Sequence, residues 1–426
     1  TGTVRSEPNG GDRRSTTSSK TMKILIVHND YGKYSGEEAV VDKMAAMLGS
    51  HGYDVVLYRL SSAGRRESLR GRMEGFACGL YSPAGVRGMR EALRRERPDV
   101  VNVHNLYPFI SPAALFECRK AGVPVVMTVH NFRLVCPTGL FMRGGRPCEE
   151  CLERGHEWGC VRHNCEHSLI KSAGYALRNA YARWTGAYKK NVDAYACITG
   201  FQRRKLVDAG YDERRISVIP NSIDVPERLV HTQGTYVAYI GRLSFEKGFD
   251  LLVEVARRRP EISFQLAGAL RDGDKGNLPE NVCWAGYLRK EELDQFIQNA
   301  RFVVMPSRCY EGFPMAILEA ACHGKATVGP DHGGFTEIIG KGDTAIGSLF
   351  RPNDIDDLER TIVELWDNPS LLARLGERAY EKVATTYNSS VVFTQWESLL
   401  EKLIAEHSKN NAIHVIEHQQ SEDHRS

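Results

Sequence analysis

Short runs of valine, isoleucine and leucine recur along the first half of the chain, each followed by a segment with helical spacing. The runs include KILIVH, DVVLYRL, VVNVHN and VPVVMTVHN. Strands that are apolar at nearly every position are typical of a parallel sheet covered by helices on both faces. Residues 22–224 are therefore predicted to form an α/β domain of the doubly wound, Rossmann-like class.

The same alternation begins again in the second half, with TYVAYIGRL, ISFQLAG, NVCWAGYL, RFVVMPS and ATVGP. A chain of 426 residues exceeds the size at which one core stops growing, so two domains are expected. We predict a second Rossmann-like domain over residues 225–385, with Val225–Gly234 as the linker. Ligands of open parallel sheets bind beyond the carboxyl ends of the strands, so the two domains are expected to face each other across a ligand cleft that closes over its contents.

The two ends of the chain differ from the domains in composition. Residues 1–21 and 408–426 are polar, which predicts a disordered extension and a disordered tail. Residues 386–407 have amphipathic spacing, which predicts a helix that returns to the N-terminal domain.

Composition excludes some functions. The net charge of +3 is small and the sequence carries no nucleic-acid-binding motif, so no nucleic-acid partner is predicted. No apolar run approaches the ~20 residues of a membrane-spanning helix, and no signal peptide is recognisable. The expected location is cytoplasmic, including the inner face of a membrane. The sequence does not indicate an oligomeric state.

A loop with two cations follows the first strand of the second domain. The run YIGRLSFEKGFDLL places Gly241, Arg242 and Lys247 between a strand and a helix. Cations beside the amino end of a helix favour a phosphate group, because the free backbone N–H groups attract anions too. The alternative interpretation is an ordinary solvated loop.

Two glutamates with seven residues between them flank a helix start in SRCYEGFPMAILEAACHGKA. Pro314 suits the first turn, so Glu311 falls in the loop and Glu319 lies in the second turn. Burying an unpaired carboxylate is unfavourable, so Glu319 is predicted to bind something. A vicinal diol such as that of a ribose would offer it two O–H donors. The alternative is a pair of ordinary helix glutamates.

These motifs together resemble the retaining family 4 glycosyltransferases of the GT-B fold. The resemblance rests on GRLSFEKG, on PSRCYEGFPMAILEA with its E-x7-E spacing and on GPDHGGFTEII, supported by PNSID and TVHN. It implies transfer of a sugar from a nucleotide-sugar donor, with retention of anomeric configuration by front-face attack and without a catalytic metal or other cofactor. A UDP-sugar is favoured over a GDP-sugar, and the acceptor would be a glycan, a lipid-linked sugar or a polysaccharide.

The resemblance also implies roles for individual residues in the donor half. Arg242 and Lys247, with Gly241, would hold the donor diphosphate and neutralise the leaving group. Glu319 would bind the ribose hydroxyls. Glu311 would lie against the donor sugar together with the backbone of three neighbours, namely Gly312, Phe313 and Pro314.

The N-terminal half is implied to supply the opposite wall. His130, at the end of a strand, would contact the donor sugar. The first strand-to-helix turn departs from the family pattern, because DYGKYSGEEAV lacks two adjacent glycines. Gly36, with Gly32, is predicted to serve there, since glycine lets the backbone approach a ligand.

Five of the eleven cysteines fall within thirty residues, in the insertion 136–165. Four of them, Cys148, Cys151, Cys160 and Cys165, have spacings that would suit a structural zinc site. Unliganded packed thiols and disulfides are the alternatives.

The segment Arg65–Arg97 carries nine arginines against four glutamates, with aromatic residues interspersed. Such a surface would dock on anionic lipid headgroups, and its alternative is a solvated charged face. Two other functions stay open: a zinc-stabilised GT-B scaffold without activity, and a nucleotide-sugar epimerase or phosphorylase.

Overall fold

The computed structural model describes residues 21–31, 35–64, 68–270 and 277–423, and the predicted extension lies almost wholly outside them. Fourteen strands appear in this part of the chain. They are β1 (Lys23–Asp30), β2 (Asp54–Ser61), β3 (Val100–Val103), β4 (Val125–Val129), β5 (Met142–Arg143), β6 (Arg146–Pro147), β7 (Ala194–Cys197), β8 (Ile216–Val218), β9 (Tyr236–Ile240), β10 (Phe264–Ala267), β11 (Val282–Gly286), β12 (Ala300–Val304), β13 (Thr327–Pro330) and β14 (Gly347–Phe350).

Sixteen α-helices lie between and after the strands in the same described ranges. They are α1 (Gly36–Ser50), α2 (Leu69–Leu80), α3 (Pro83–Glu96), α4 (Leu115–Lys120), α5 (Glu150–Glu153), α6 (Trp158–Arg162), α7 (Leu169–Thr185), α8 (Ala187–Asn191), α9 (Gly200–Asp208), α10 (Phe249–Arg258), α11 (Lys290–Gln298), α12 (Met315–Cys322), α13 (Gly333–Ile339), α14 (Ile355–Trp366), α15 (Pro369–Lys382) and α16 (Ser389–Asp423).

Two six-stranded parallel sheets form the framework, which confirms the predicted fold class. The first has the order β2-β1-β3-β4-β7-β8 and the second β11-β10-β9-β12-β13-β14. In each sheet, successive strands are added first toward one edge and then toward the other. The change occurs between β1 and β3 in the first sheet and between β9 and β12 in the second. Loops diverge at such a switch point and leave a crevice at the carboxyl ends of the strands, where ligands bind.

The apolar runs form strands because both faces of each sheet are covered. Along β1, Leu25 and Val27 pack into one cluster of buried side chains, whereas Ile24 and Ile26 pack into the cluster on the opposite face. Alternate side chains of a strand point to opposite faces, so a strand covered on both sides must be apolar throughout.

The last helix, α16, returns from the second domain to the first. A π-helical turn over Val383–Tyr387 separates it from α15. Its apolar side chains, Val392, Phe393, Trp396, Leu399, Leu400 and Leu403, join the cluster beneath β1. This return confirms that part of the predicted fold.

The helix continues past residue 407 to Asp423, where a disordered tail was expected. Residues 408–423 contain neither glycine nor proline, the two residues that disfavour a helix most strongly. None of the described helices combines the length and apolar character needed to cross a membrane.

Candidate active site

Two glycines position the cation loop that follows β9. Gly241 has a φ of 151° and Gly248 has a φ of 70°, and both conformations favour glycine. A Cβ at Gly248 would lie only 1.8 Å from the carbonyl oxygen of Pro306, so this loop presses against the loop after β12. The short 3-10 turn Phe245–Lys247 between them therefore ends beside the second switch point.

Lys247 and Glu311 meet at this point. The Lys247 Nζ atom lies 2.5 Å from Glu311 Oε1, and the Ser307 hydroxyl donates to the same oxygen at 2.7 Å. Burial alone would raise the pKa of Glu311, but Lys247 and Ser307 outweigh it and lower that pKa. Burial would likewise lower the pKa of Lys247, and Glu311 reverses the direction. Both groups are therefore charged at neutral pH.

Arg242 lies at the mouth of the same loop with a more exposed side chain. Its guanidinium Nη2 is 3.5 Å from Glu246 Oε1, and the side chain is 48% exposed. This contact is long for a charge-assisted hydrogen bond, whose usual length is about 2.7–2.9 Å. The guanidinium can therefore bind an incoming anion without breaking a strong ion pair.

Glu319 lies in the second turn of α12, as the sequence predicts. Burial raises its pKa to about 7, and the nearby carboxylate of Asp294 adds to the shift. Within the described residues no donor hydrogen-bonds this carboxyl group and no cation pairs with it. It is thus a desolvated acceptor whose partner would come from a ligand.

Three histidines lie at the carboxyl ends of neighbouring strands in the first domain. His28 belongs to β1, and His104 and His130 follow β3 and β4. His104 Nδ1 lies 2.6 Å from His130 Nε2, so one ring donates to the other. Burial lowers the pKa of all three, to about 4 for His28, and the rings are neutral at pH 7.

His28, Asp30 and Glu38 are, among the residues the structure describes, the one group of three metal-type ligands within 4.8 Å of one another. Both carboxylate oxygens of Glu38 already accept backbone hydrogen bonds, from Tyr31 and Ser35, as part of the cap of α1. The Arg59 Nε atom lies 3.9 Å from Asp30 and supplies positive charge. We therefore interpret the group as part of the cap and its ion pair.

The first strand-to-helix turn also faces this end of the sheet. Gly36 is the first residue of α1, and a Cβ placed there would meet no atom within 4 Å. Gly32, by contrast, lies outside the described residues.

The two domains touch across the predicted donor residues. A Cβ at Gly312 would lie 3.3 Å from the carbonyl oxygen of His130, so the two predicted walls meet here. Within the second domain, the Gly334 N–H donates to Glu311 O at 2.8 Å. Tyr310 packs edge-on against Phe132 and Phe201 of the first domain.

Glu337 makes a second bridge between the domains. Its carboxylate accepts the backbone N–H groups of Gly200 and Phe201, each at 2.8 Å, at the start of α9. The sequence does not predict this contact, because a surface glutamate carries no signal for its partner. The motifs also leave out His28, His104 and Ser307, although the position of each at the end of a strand is a usable signal.

The predicted zinc ligands Cys148, Cys151, Cys160 and Cys165 are brought together. All four line one cavity of about 20 Å³, which Cys136 and His163 also line. The structure thus adds a fifth thiol, Cys136, to the predicted set.

Two facing parallel-sheet domains of this kind, with charged residues at the second switch point, have the architecture of the GT-B fold. The family model "Glycosyltransferase Family 4" matches residues 34–227, and "Glycosyl transferases group 1" matches residues 223–382. The chain belongs to the family 4 glycosyltransferases and is a glycosyltransferase enzyme.

Individual relatives agree with this membership. Alpha-D-kanosaminyltransferase of Streptomyces kanamyceticus is 27% identical over 328 residues, which cover 72% of this chain and 78% of that protein. Two solved structures share the fold. Anabaena HepE in complex with UDP-glucose has a TM-score of 0.62 at 16% identity, covering 89% of this chain and 100% of HepE. Sucrose-phosphate synthase of Thermosynechococcus elongatus has a TM-score of 0.66 at 15% identity, covering 90% of this chain and 100% of that chain.

Proposed function

We propose that this enzyme transfers a sugar from a nucleoside diphosphate sugar to a hydroxyl group of a glycan, lipid-linked or polysaccharide acceptor. The observation that carries the proposal is the Lys247–Glu311 ion pair at the switch point between β9 and β12. A largely buried pair is costly to desolvate, so it adds little to stability by itself. It places a cation where a diphosphate would lie and a carboxylate where sugar hydroxyls would lie.

The proposed reaction breaks the bond between the anomeric carbon and the diphosphate oxygen. Arg242 and Lys247 would neutralise the charge that develops on the diphosphate, so the mechanism assigns that task to side chains rather than to a metal. The acceptor oxygen would attack from the face that the diphosphate leaves, and the diphosphate would take the acceptor proton. This path retains the anomeric configuration.

The remaining contacts orient the donor. Glu311 and the backbone N–H groups of Gly312 and Phe313 would bind hydroxyls of the sugar, with Pro314 shaping the turn. His130 would contact the sugar from the first domain, through the ring nitrogen that His104 does not occupy. Glu319 would accept both hydroxyls of the ribose.

A UDP-sugar is the first candidate donor and a GDP-sugar the second. The support for uracil is that HepE, which shares this fold, is described in complex with UDP-glucose. Membership of the family does not determine the base or the sugar of the donor.

A panel of UDP-, GDP- and ADP-sugars tests the proposal. We expect slow release of the free nucleoside diphosphate from one class of donor, and faster release when a suitable acceptor is added. Release from no donor would favour the inactive scaffold. Conversion of the sugar without release of nucleotide would favour an epimerase, and release that requires phosphate as acceptor would favour a phosphorylase.

We further propose peripheral contact of the first domain with anionic membrane through α7. Ile170, Leu177, Tyr181 and Trp184 follow one another at intervals of seven, four and three residues, and all four are exposed, Ile170 at 84%. Phe76 of the neighbouring α2 adds to this α7 surface. An exposed apolar stripe on a helix is typical of an interfacial membrane helix.

The charged residues of the predicted segment Arg65–Arg97 contribute less to this surface than expected. Residues 65–67 lie outside the described residues. Arg90 and Arg95 are paired with Glu117 and Glu96, at 2.7 and 2.6 Å. On α7 itself, Lys171 is exposed, whereas Arg183, beside Trp184, is paired with Glu157 at 3.0 Å. We therefore place the proposed lipid contact on α7 and its flanks.

Sedimentation with vesicles tests this contact. The protein is expected to bind vesicles that contain phosphatidylglycerol and to bind pure phosphatidylcholine less, with a decrease at high salt. Ile170→Glu should weaken binding several-fold, because it places a charge in the headgroup region. Tyr287→Glu is the matched control, since Tyr287 is also a highly exposed apolar residue but lies in the second domain. Equal binding by Ile170→Glu and the unaltered protein would refute the contact.

A further inference from the structure

The cysteine-rich insertion has an unusually small core. Between β4 and α7 the chain forms two strands of two residues each and helices of four and five residues. The buried cluster of this region contains only Phe132, Cys136, Phe141 and Leu152. Segments with so little apolar surface to bury usually depend on disulfides or a metal ion.

The backbone between β4 and α7 also contains left-handed residues. Phe141, Asn164 and His167 have φ angles of 47°, 47° and 52°. Asparagine and histidine adopt this region more readily than most residues, so the strain falls mainly on Phe141, at about 1–3 kcal/mol. The Phe141 ring packs against Phe132 and Tyr310, and a constraint beyond this small apolar cluster would help to hold the strained backbone.

The thiols supply the groups for that constraint. All five cysteines of the insertion line the same cavity of about 20 Å³. None of the five forms a disulfide. Thiolate sulfurs in a tetrahedral arrangement are the usual ligands of a structural zinc ion, and such sites use four of them.

The hydrogen bonds distinguish Cys160 from Cys136. Cys160 Sγ lies 3.7 Å from the carbonyl oxygen of Ser172, and a carbonyl accepts only from a protonated thiol. Cys136 Sγ lies 3.3 Å from the Thr138 hydroxyl, which is able to donate to a thiolate. Cys136 is therefore compatible with a metal ligand, and Cys160 is better suited to remain neutral.

His163 lies at the rim of the same cavity. Its Nε2 atom lies 2.8 Å from the Glu150 carboxylate, so that nitrogen is already engaged. Glu150 in turn contacts Arg143 at 2.7 Å. These contacts brace the rim of the cavity.

We propose that Cys136, Cys148, Cys151 and Cys165 bind one zinc ion as thiolates, with Cys160 outside the coordination sphere. Among the described residues, His28, Asp30 and Glu38 form the one group of three possible metal ligands whose atoms lie within 4.8 Å of one another. No three of these four sulfur atoms therefore lie that close together. Zn–S bonds of about 2.3 Å would hold the sulfurs about 3.8 Å apart. Zinc binding therefore draws the walls of the cavity inward.

The ion would also stiffen one wall of the candidate active site. Phe132 and Phe141 pack against Tyr310, the residue before Glu311, with ring centroids 6.4 and 6.0 Å apart. A Cβ at Gly145 would lie 3.0 Å from the Phe245 ring of the cation loop. Lys205 and Glu149, at 2.6 Å, tie the insertion to α9. The insertion thus touches both loops that carry the predicted donor residues.

Metal analysis of the intact purified protein tests the proposal. We expect one zinc ion per chain by mass spectrometry of the acid-digested protein. Growth with cobalt in place of zinc should give the intense visible absorption of tetrahedral cobalt and a thiolate-to-metal band. Protein without zinc, or with these cysteines oxidised to disulfides, would overturn the proposal. The cobalt spectrum is read on the unaltered chain and does not depend on whether any variant folds.

Two serine variants test the ligand set. Cys136→Ser should lose most of the bound zinc, whereas Cys160→Ser should retain it. Cys283→Ser is the control, because Cys283 is exposed on β11 and far from the insertion in sequence. Retention of zinc by Cys136→Ser with loss from Cys160→Ser would overturn the assigned set.

Discussion

Replacing Lys247 with alanine is expected to lower kcat/KM for sugar transfer by about 10²–10³-fold, the usual effect of removing one preorganised charge-stabilising group. The ammonium group is held within 2.5 Å of Glu311, at the point where the donor diphosphate would lie. Since negative charge grows on the diphosphate as the glycosidic bond breaks, the loss should appear mainly in kcat. Steady-state kinetics with the donor found in the panel measures it.

Stability has to be separated from catalysis in this variant. Without Lys247 the largely buried carboxylate of Glu311 loses its paired cation and keeps only the weaker influence of Arg242, so its pKa rises and the fold is weakened. The double variant Lys247→Ala with Glu311→Gln removes that unpaired charge. It should recover thermal stability but not activity, whereas a purely structural pair would recover both.

Lys341→Ala is the matched control for Lys247→Ala. Lys341 also forms a short ion pair, with Asp331 at 2.6 Å, but this pair is exposed. Exposed pairs contribute about 0–1 kcal/mol, so activity and melting temperature should hardly change. Equal activity of Lys247→Ala and Lys341→Ala would contradict the proposed role of Lys247.

Replacing Glu319 with glutamine is expected to weaken donor binding by about 10–150-fold, because a charged acceptor of two hydroxyls is worth roughly 1.5–3 kcal/mol. The pH dependence gives a sharper signature. The pKa of Glu319 is raised to about 7 by burial, so its carboxyl group is mostly protonated at pH 6. The ribose diol binds the carboxylate form, so donor binding must release this proton.

Affinity for the nucleotide-sugar should therefore rise about tenfold from pH 6 to pH 8. In Glu319→Gln the profile should be flat over the same range. Asp294→Asn should move the rise to lower pH, because Asp294 contributes to the raised pKa of Glu319. A flat profile in the unaltered protein, or an unchanged one in Glu319→Gln, would exclude Glu319 from the ribose site.

The fold could be predicted because its strands are buried on both faces and each is followed by a helix. Positions such as Lys247 and Glu311 could also be placed, since both follow strands that meet at a switch point. Contacts between the domains could not be predicted from the sequence. The hydrogen bonds from Gly200 and Phe201 to Glu337 are an example. No local pattern encodes the surface on which such a side chain will lie.

The cysteine insertion illustrates a second limit. Spacing grouped Cys148 with Cys151 and suggested Cys160 and Cys165 as the remaining pair. Cys136 precedes the group by twelve residues and reaches the cavity only because the chain folds back through β5 and β6. The extent of α16 was missed for a similar reason, because a polar composition alone does not end a helix.

The most direct test of the donor site is calorimetric titration of UDP into the intact protein and its variants. We predict one UDP bound per chain, with clearly weaker binding in Lys247→Ala and Glu319→Gln and unchanged binding in Lys341→Ala. Absence of binding to UDP, GDP and ADP, or equal affinity in all four proteins, would contradict the assignment of the donor site to the second domain.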